Sequence, residues 1–500
     1  MLEILDVCLP IASFVVYSLL TLPIFKYARK IKNANKKLLL TLVWFSIIYA
    51  SAAFAVANLA TKYYEQATTQ PLVNVTFAEN SQLIFSSTFS IDAVSIYMAV
   101  MFTIVSAIVF LYGLFHIGFS EKTSGRYYAV MLMITGCLIG TAFSGDFLTL
   151  FILWEATAAG SSFLMLYGGT KASFYATLKY LVMIVIASAF IIYGLSIIYG
   201  ITGTLNFWAV KEALIALENK QILALAFIFI AAGYAIEAAI VPFHMWLPDA
   251  YTAAPASSSA FLSALVDQGS YYVLLRVLIY VLTPPKVFEW TFMLAVLSAL
   301  TMVLGNLFAL TERNVKRLFA YVCIADVGYN LVAITSVTPL GVMGNLYFFF
   351  IGGITTALSF MAVGILNKMG FKTLESISGI GRKMPLTSLA LTLSAFSFAG
   401  VPPFAGFIAK YLVFTAAIEA NMGWLAVLGV LTSVIQAAYL LRLINYMYAK
   451  EPKIEEKVKE PKKMLIPIFI FVAAIIILGI YPTIILNLIE PVIQQLPSIF

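Results

Sequence analysis

Five ionisable side chains lie inside long apolar runs. Glu155 sits in Phe151-Ile-Leu-Trp-Glu155-Ala, Glu237 five residues before Pro242, and Asp267 in Leu265-Val-Asp267-Gln268-Gly. Asp326 sits in Cys323-Ile-Ala-Asp326-Val-Gly, and Lys410 follows a double proline in Gly406-Phe-Ile-Ala-Lys410. At the centre of a membrane-spanning helix each costs about 2.5–3.5 kcal/mol, so several in one chain need a reason. Pairing that glues helices together is the plain alternative, and it weighs most for Asp326. Carboxyl and ammonium groups held away from water bind and release protons, and carboxylate oxygens also suit hard cations. The residue types therefore point to an ion path through Glu155, Glu237, Asp267, Asp326 and Lys410.

Prolines beside these charges sharpen that reading. Pro242 and Pro402–Pro403 interrupt apolar stretches, free backbone carbonyls in the preceding turn, and leave them in need of partners. Freed carbonyls, internal water and nearby carboxylates together make a hydrated cation path. His244, just past the first break, titrates near neutrality and suits a relay, although a lone histidine beside proline also anchors local backbone. Arg276, near the outer end of its helix, reads as a snorkelling or structural charge. Asp92 reads as a helix cap, and Gly136 and Gly140 as a GxxxG packing face. Cys8, Cys137 and Cys323 lie far apart in apolar runs and form no cluster or disulfide framework.

The elements that must position these groups are membrane helices. Of 500 residues, 62% are hydrophobic and 11% charged, far from the balance of a water-soluble domain. The net charge of +7 is better read through its distribution than as a nucleic-acid footprint. Spans of roughly 17–25 apolar residues fall at Leu5–Phe25, Leu38–Leu59, Ile91–Phe115, Tyr127–Phe143, Phe147–Leu166, Tyr175–Tyr199 and Ile222–Val241. Others fall at Ser257–Leu282, Phe288–Leu310, Leu318–Ser336, Val342–Leu366, Leu386–Ala420, Trp424–Met447 and Met464–Ile480. The fold class is thus all-α integral membrane with about fourteen transmembrane helices. Basic residues follow the first span rather than precede it, which predicts a permanent span and not a cleaved signal.

With the N-terminus outside, only Lys62, Lys211, Lys220 and Lys286 fall in outer loops, and Arg276 and Lys410 fall in spans. All others of the 30 basic residues then lie on the inner side, as positive-inside segregation requires. Both termini are therefore expected outside, in the cell (cytoplasmic) membrane. Thr61–Ser90 reads as an outer loop with a sequon at Asn74, Asn206–Lys220 as an amphipathic outer helix, Leu374–Gly381 as an inner connector and Ala449–Lys463 as a solvated linker. Pro242 and Pro402 are separated by nearly the same interval as the spans beginning at Tyr127 and Phe288. That offset predicts two inverted five-helix repeats with a broken helix in each. The expected segments are 1–115, a first repeat over 116–282, a second over 283–448, and a linker with a last helix over 449–500.

Local sequence around the first break adds a resemblance. Val241-Pro-Phe-His-Met-Trp-Leu-Pro-Asp-Ala250, Ala254-Pro255, Ser259-Ala-Phe-Leu-Ser263 and Leu153-Trp-Glu155 resemble the antiporter-like subunits of complex I, membrane-bound hydrogenases and sulfur reductases, and Mrp-type Na+/H+ antiporters. Ser90-Ile-Asp92, Lys179-Tyr180, Gly203-Thr-Leu-Asn-Phe207, Asn314-Val-Lys-Arg317, Gly328-Tyr329 and Gly400-Val-Pro-Pro-Phe-Ala-Gly-Phe-Ile-Ala-Lys410 carry it further, over residues 85–450. The resemblance implies fourteen helices, two inverted repeats, and broken seventh and twelfth helices. It also matches Glu155 to a fifth-helix glutamate and Lys410 to a twelfth-helix lysine. Two positions depart from that pattern: Glu237 stands where a seventh-helix lysine is usual, and Asp267 where many relatives have an eighth-helix lysine. Near Thr356, where another lysine is common, there is no charge.

A glutamate–lysine pair switches between open and closed ion pairs, whereas two close carboxylates resist double ionisation. Such a site fits an altered proton path, Na+ near Glu155 and Glu237, or a path that has decayed. The expected function is an H+ or Na+ translocating subunit of a redox-driven complex of the complex I, hydrogenase or sulfur reductase kind. The alternatives are a subunit of a multisubunit Mrp-type antiporter and a non-pumping structural subunit. No redox or catalytic centre of its own is expected, and no cofactor or resident metal, so partner subunits would carry the redox centres. Expected partners are membrane lipid, other antiporter-like subunits and small hydrophobic subunits, and no nucleic acid.

Overall fold

The computed structural model describes residues 3–66, 73–76, 87–118, 123–217, 221–282, 289–451 and 459–496. Two long helices open the chain, α1 (Ile4–Lys30) and α2 (Ala34–Gln66). A short antiparallel pair follows, β1 (Val73–Thr76) and β2 (Thr88–Ile91), with Asn74 opposite Ser90. The predicted outer loop from Thr61 is therefore partly helix and partly hairpin, and the sequon asparagine is exposed on β1.

The next helices are α3 (Ala93–His116), α4 (Ser124–Phe143), α5 (Phe147–Leu166), α6 (Lys171–Thr202) and the short α7 (Phe207–Ile215). α7 lies where the amphipathic outer helix is expected, and residues 218–220 of that expectation lie outside the described residues. Gly136 and Gly140 of α4 do pack a helix. A side chain at Gly136 would meet Phe14 and the Ile11 carbonyl of α1, and one at Gly140 would meet Leu153 of α5.

α8 (Gln221–Glu237) ends at the first predicted break. The chain resumes as a 3-10 turn at Phe243–Trp246 and then α9 (Leu247–Ala253). α10 (Ala256–Phe261), α11 (Asp267–Leu275) and the π-helical turns Leu262–Val266 and Arg276–Val281 join into one buried helix over Ala256–Val281. The second half begins with α12 (Thr291–Thr311), α13 (Val315–Ser336) and α14 (Pro339–Lys368), the last buried along nearly its whole length. α15 (Pro385–Ala399) ends at the second break, and α16 (Ala405–Glu419), α17 (Gly423–Tyr448), α18 (Lys462–Ile480) and α19 (Thr483–Gln495) complete the chain. Residues 452–458 of the expected linker lie outside the described residues.

Among the described residues, 12 helices are long and apolar enough to cross a membrane. The two remaining predicted spans are those at the breaks: Ile222–Val241 holds α8, with the chain resuming beyond Pro242, and Leu386–Ala420 is divided into α15 and α16. Outward faces of α6, α12 and α17 carry exposed apolar side chains such as Val185, Phe292 and Val434. That surface suits lipid and not water. The start of α1 and the end of α19 meet at one end of the bundle. There Asp6 pairs with Lys62 at 2.6 Å, and Gln495 donates to Tyr63 Oη at 2.6 Å while its Oε1 accepts from the Ala93 N–H.

Candidate functional site

Both breaks are built by local rules. At the first, Ala239 adopts φ 53°, the Val241 N–H donates to Thr301 Oγ1 at 3.1 Å, and the Trp246 indole donates to the Ile236 carbonyl at 2.9 Å. These contacts satisfy backbone groups that Pro242 and the turn would leave orphaned. At the second, Gly400 takes φ 71°, and a Cβ on Gly406 would lie 1.9 Å from the Ser397 carbonyl. Only glycine lets the start of α16 approach the end of α15 so closely. The Val241–Pro242 and Pro402–Pro403 bonds are both cis.

Glu237, the last residue of α8, is buried and accepts a hydrogen bond from the Trp154 indole of α5 through one oxygen. Its other oxygen, Oε1, is buried without a partner. Asp267, also buried, accepts from Tyr251 Oη of α9. The two carboxylates, far apart in sequence, line one small cavity with Trp154, Tyr180, Trp246 and Tyr251. Glu155 is half-buried one residue from Trp154, and its Oε1 accepts from Ser188 Oγ of α6 at 2.6 Å. Separate donors thus hold Glu155 and Glu237, Ser188 for the one and Trp154 for the other.

Asp326 and Lys410 also share a cavity, lined by Gly352, Thr355, Ser397 and Phe398. The Lys410 ammonium donates to Ser433 Oγ at 3.1 Å and to Gln436 Oε1, and it lies 4.3 Å from the centre of the Tyr329 ring. Asp326 Oδ1 is buried without a partner. Tyr329 of α13 belongs to the Gly328-Tyr329 motif, whereas Ser433 and Gln436 of α17 were not singled out in the sequence. Polar residues one helical turn apart in the apolar α17 are the signal that could have found them.

Neutral polar side chains lie beside both cavities. Gln268 follows Asp267, its Oε1 is buried without a partner, and its side chain packs against Gly353 of α14. Thr355 Oγ1 and Ser397 Oγ are 3.2 Å apart.

His244 is not among the residues lining the Glu237–Asp267 cavity. Its ring stacks on Phe308 with centroids 5.6 Å apart, and Nδ1 is buried without a partner. Arg276 does not snorkel. It is 2% exposed and pairs with Asp92 from the interior of its helix. Hydropathy alone cannot tell an inward face from a lipid-facing one. Asp92 caps α3 as expected, accepting from the Ser95 N–H at 2.9 Å. Among the described residues no group of three or more His, Cys, Asp or Glu side chains is arranged to hold a metal ion. The three cysteines are free thiols.

Comparison with known proteins identifies the family and the fold. Residues 144–436 match the family described as NADH:quinone oxidoreductase/Mrp antiporter, TM. The F(420)H(2) dehydrogenase subunit N of Methanosarcina mazei is 32% identical over 411 residues, covering 80% of this chain and 83% of that protein. The NADH-quinone oxidoreductase subunit N of Desulforamulus reducens is 31% identical over 408 residues, covering 81% and 85%. Among solved structures, a chain of an archaeal membrane-bound sulfane sulfur reductase superposes with TM-score 0.84 at 26% identity, covering 97% of both chains. A chain of the Mrp complex from Dietzia sp. superposes with TM-score 0.85 at 22% identity, covering 99% of this chain and 98% of that one, a likeness of fold.

Proposed function

The chain belongs to the NADH:quinone oxidoreductase/Mrp antiporter family of membrane subunits, and we propose that its two buried clusters carry protons through the bilayer for a redox-driven complex. The observation that carries this reading is the pairing of Glu237 with Asp267 on one cavity and of Asp326 with Lys410 on the other. Glu155, half-buried beside Glu237, completes the acidic cluster and exchanges protons with it. Glu237 cannot form the usual ion pair with Glu155. It acts instead as a carboxyl that gains and loses a proton against the Trp154 indole. Lys410 is the cationic end, cradled by Gln436, Ser433 and the Tyr329 ring and facing Asp326. His244 serves as a relay at the first break.

Membership of a redox-driven complex is favoured over a stand-alone Mrp antiporter by the similarity, at 31–32% identity, to an F(420)H(2) dehydrogenase subunit N and an NADH-quinone oxidoreductase subunit N. Redox centres would then sit on partner subunits. The proposed architecture counts each interrupted helix pair as one crossing, giving fourteen spans. It divides them into an N-terminal segment (1–115), inverted repeats (116–282 and 283–448) and a C-terminal segment (449–500). The start of α1 and the end of α19 then lie on the outer face of the cell membrane, the face opposite the basic loops.

Identification of the proteins that co-purify with the chain, followed by reconstitution of that complex in vesicles, tests the reading. Redox turnover should acidify or alkalise the lumen without sodium present. If uptake of radioactive sodium accompanies turnover and proton movement only follows it, the carboxylates exchange Na+ instead. Co-purification with small membrane subunits alone would overturn the redox assignment.

A further inference from the structure

Asn314-Val-Lys-Arg317 is a motif that the ion path does not use, and it borders a large cavity. That cavity, about 620 Å³, opens at the end of the bundle opposite the start of α1. Lys179, Lys316, Arg317 and Lys372 line it against a single carboxylate, Asp249. Asp249 is already shared, by Lys179 at 2.8 Å and Arg317 at 3.2 Å, and Arg317 also pairs with Glu312 outside the lining at 3.4 Å. Lys316 is 3% exposed, and among the described residues it donates to no carboxylate but to backbone carbonyls, those of Ala254 and Thr252 at the end of α9. A buried ammonium with no carboxylate partner is costly unless an anion is brought to it.

The surrounding backbone has the same sign. Thr170 and Asn314 both line the cavity, and they are the N-caps of α6 and α13. Two long helices thus turn their positive ends toward it, an arrangement that favours anions. One wall runs directly into the lipid-facing side of α6, where Phe174 and Tyr175 are 55% and 68% exposed. A phosphate bound here as part of a phospholipid would find its acyl chains beside that apolar face.

We propose that this cavity binds an anionic phosphate group, contributed by a phospholipid headgroup or by a free phosphate. Basic pockets between membrane helices recognise acidic headgroups in this way. Its ligand is unrelated to the ion that crosses the bilayer, so the site stands whether or not the translocation reading does.

The test uses the intact complex, delipidated in detergent and then given phosphatidylglycerol, phosphatidylcholine or inorganic phosphate. Wild-type protein should bind phosphatidylglycerol saturably and phosphatidylcholine hardly at all. Lys372→Glu, an exposed change, should weaken that binding roughly tenfold. Lys316→Met should weaken it as well, in a protein whose melting temperature confirms folding. Protection by inorganic phosphate that is lost in Lys372→Glu would identify free phosphate as the source. Equal binding of both lipids and no phosphate effect would overturn the site, as would undiminished binding in both variants. Zero-length carbodiimide cross-linking of Lys372 to a carboxylate of a neighbouring subunit would also overturn it, by filling the cavity with protein.

Discussion

Trp154 is the residue through which the acidic cluster is held, because its indole is the donor that meets Glu237. Trp154→Phe keeps the ring but leaves a buried carboxylate oxygen unpaired, a loss of about 1–3 kcal/mol. Slower translocation with a modestly lower melting temperature is expected, and turnover in vesicles alongside a thermal scan checks both. Arg276 and Asp92 form a buried pair at 2% and 4% residue exposure. Arg276→Met should cost about 3–5 kcal/mol by stranding the carboxylate. Arg276→Met with Asp92→Asn should recover most of it, since asparagine still caps α3; comparing the two melting temperatures decides. The charges themselves were legible in the sequence, because an ionisable residue in an apolar run stands out at once. Their partners were not. Nothing in the chain announces that Glu237 and Asp267 face one cavity, or that Asp326 and Lys410 do, since a helix's rotation about its axis depends on neighbours distant in sequence.

At the scale of the element, the two interrupted helices carry most of the design. Their positions follow from Pro242 and Pro402–Pro403; most predicted spans match a helix to within about four residues, but α1 and α2 run on into their polar flanks to Lys30 and Gln66, and α19 was not predicted. The π-helical turns on either side of α11 carry no comparable sequence sign. They arise inside an uninterrupted apolar run, where tertiary packing selects the hydrogen-bond register. Glycine spacing at the second break makes a sharp prediction. Gly406→Ala places a methyl group into the Ser397 carbonyl and should destabilise the protein by roughly 1–3 kcal/mol. Gly423→Ala, with open space around it, should leave the melting temperature unchanged.

Across the whole molecule, an acidic cluster lies in the first half and an acid–lysine pair in the second, and the neutral Gln268 beside Asp267 packs against Gly353 of α14, next to Gly352 of the second cavity. That asymmetry separates this chain from an alternating acid–lysine array, and the proposed path would cross the middle through amides, hydroxyls and water. Family membership follows from extended sequence similarity and fold, whereas the path rests on where the buried charges meet. The most direct measurement is the number of ions moved per redox turnover by the reconstituted complex carrying Glu237→Gln or Lys410→Met. Each variant should assemble, retain redox activity and move severalfold fewer ions per turnover than the wild type. Wild-type ion yield in both variants would contradict a path through these clusters.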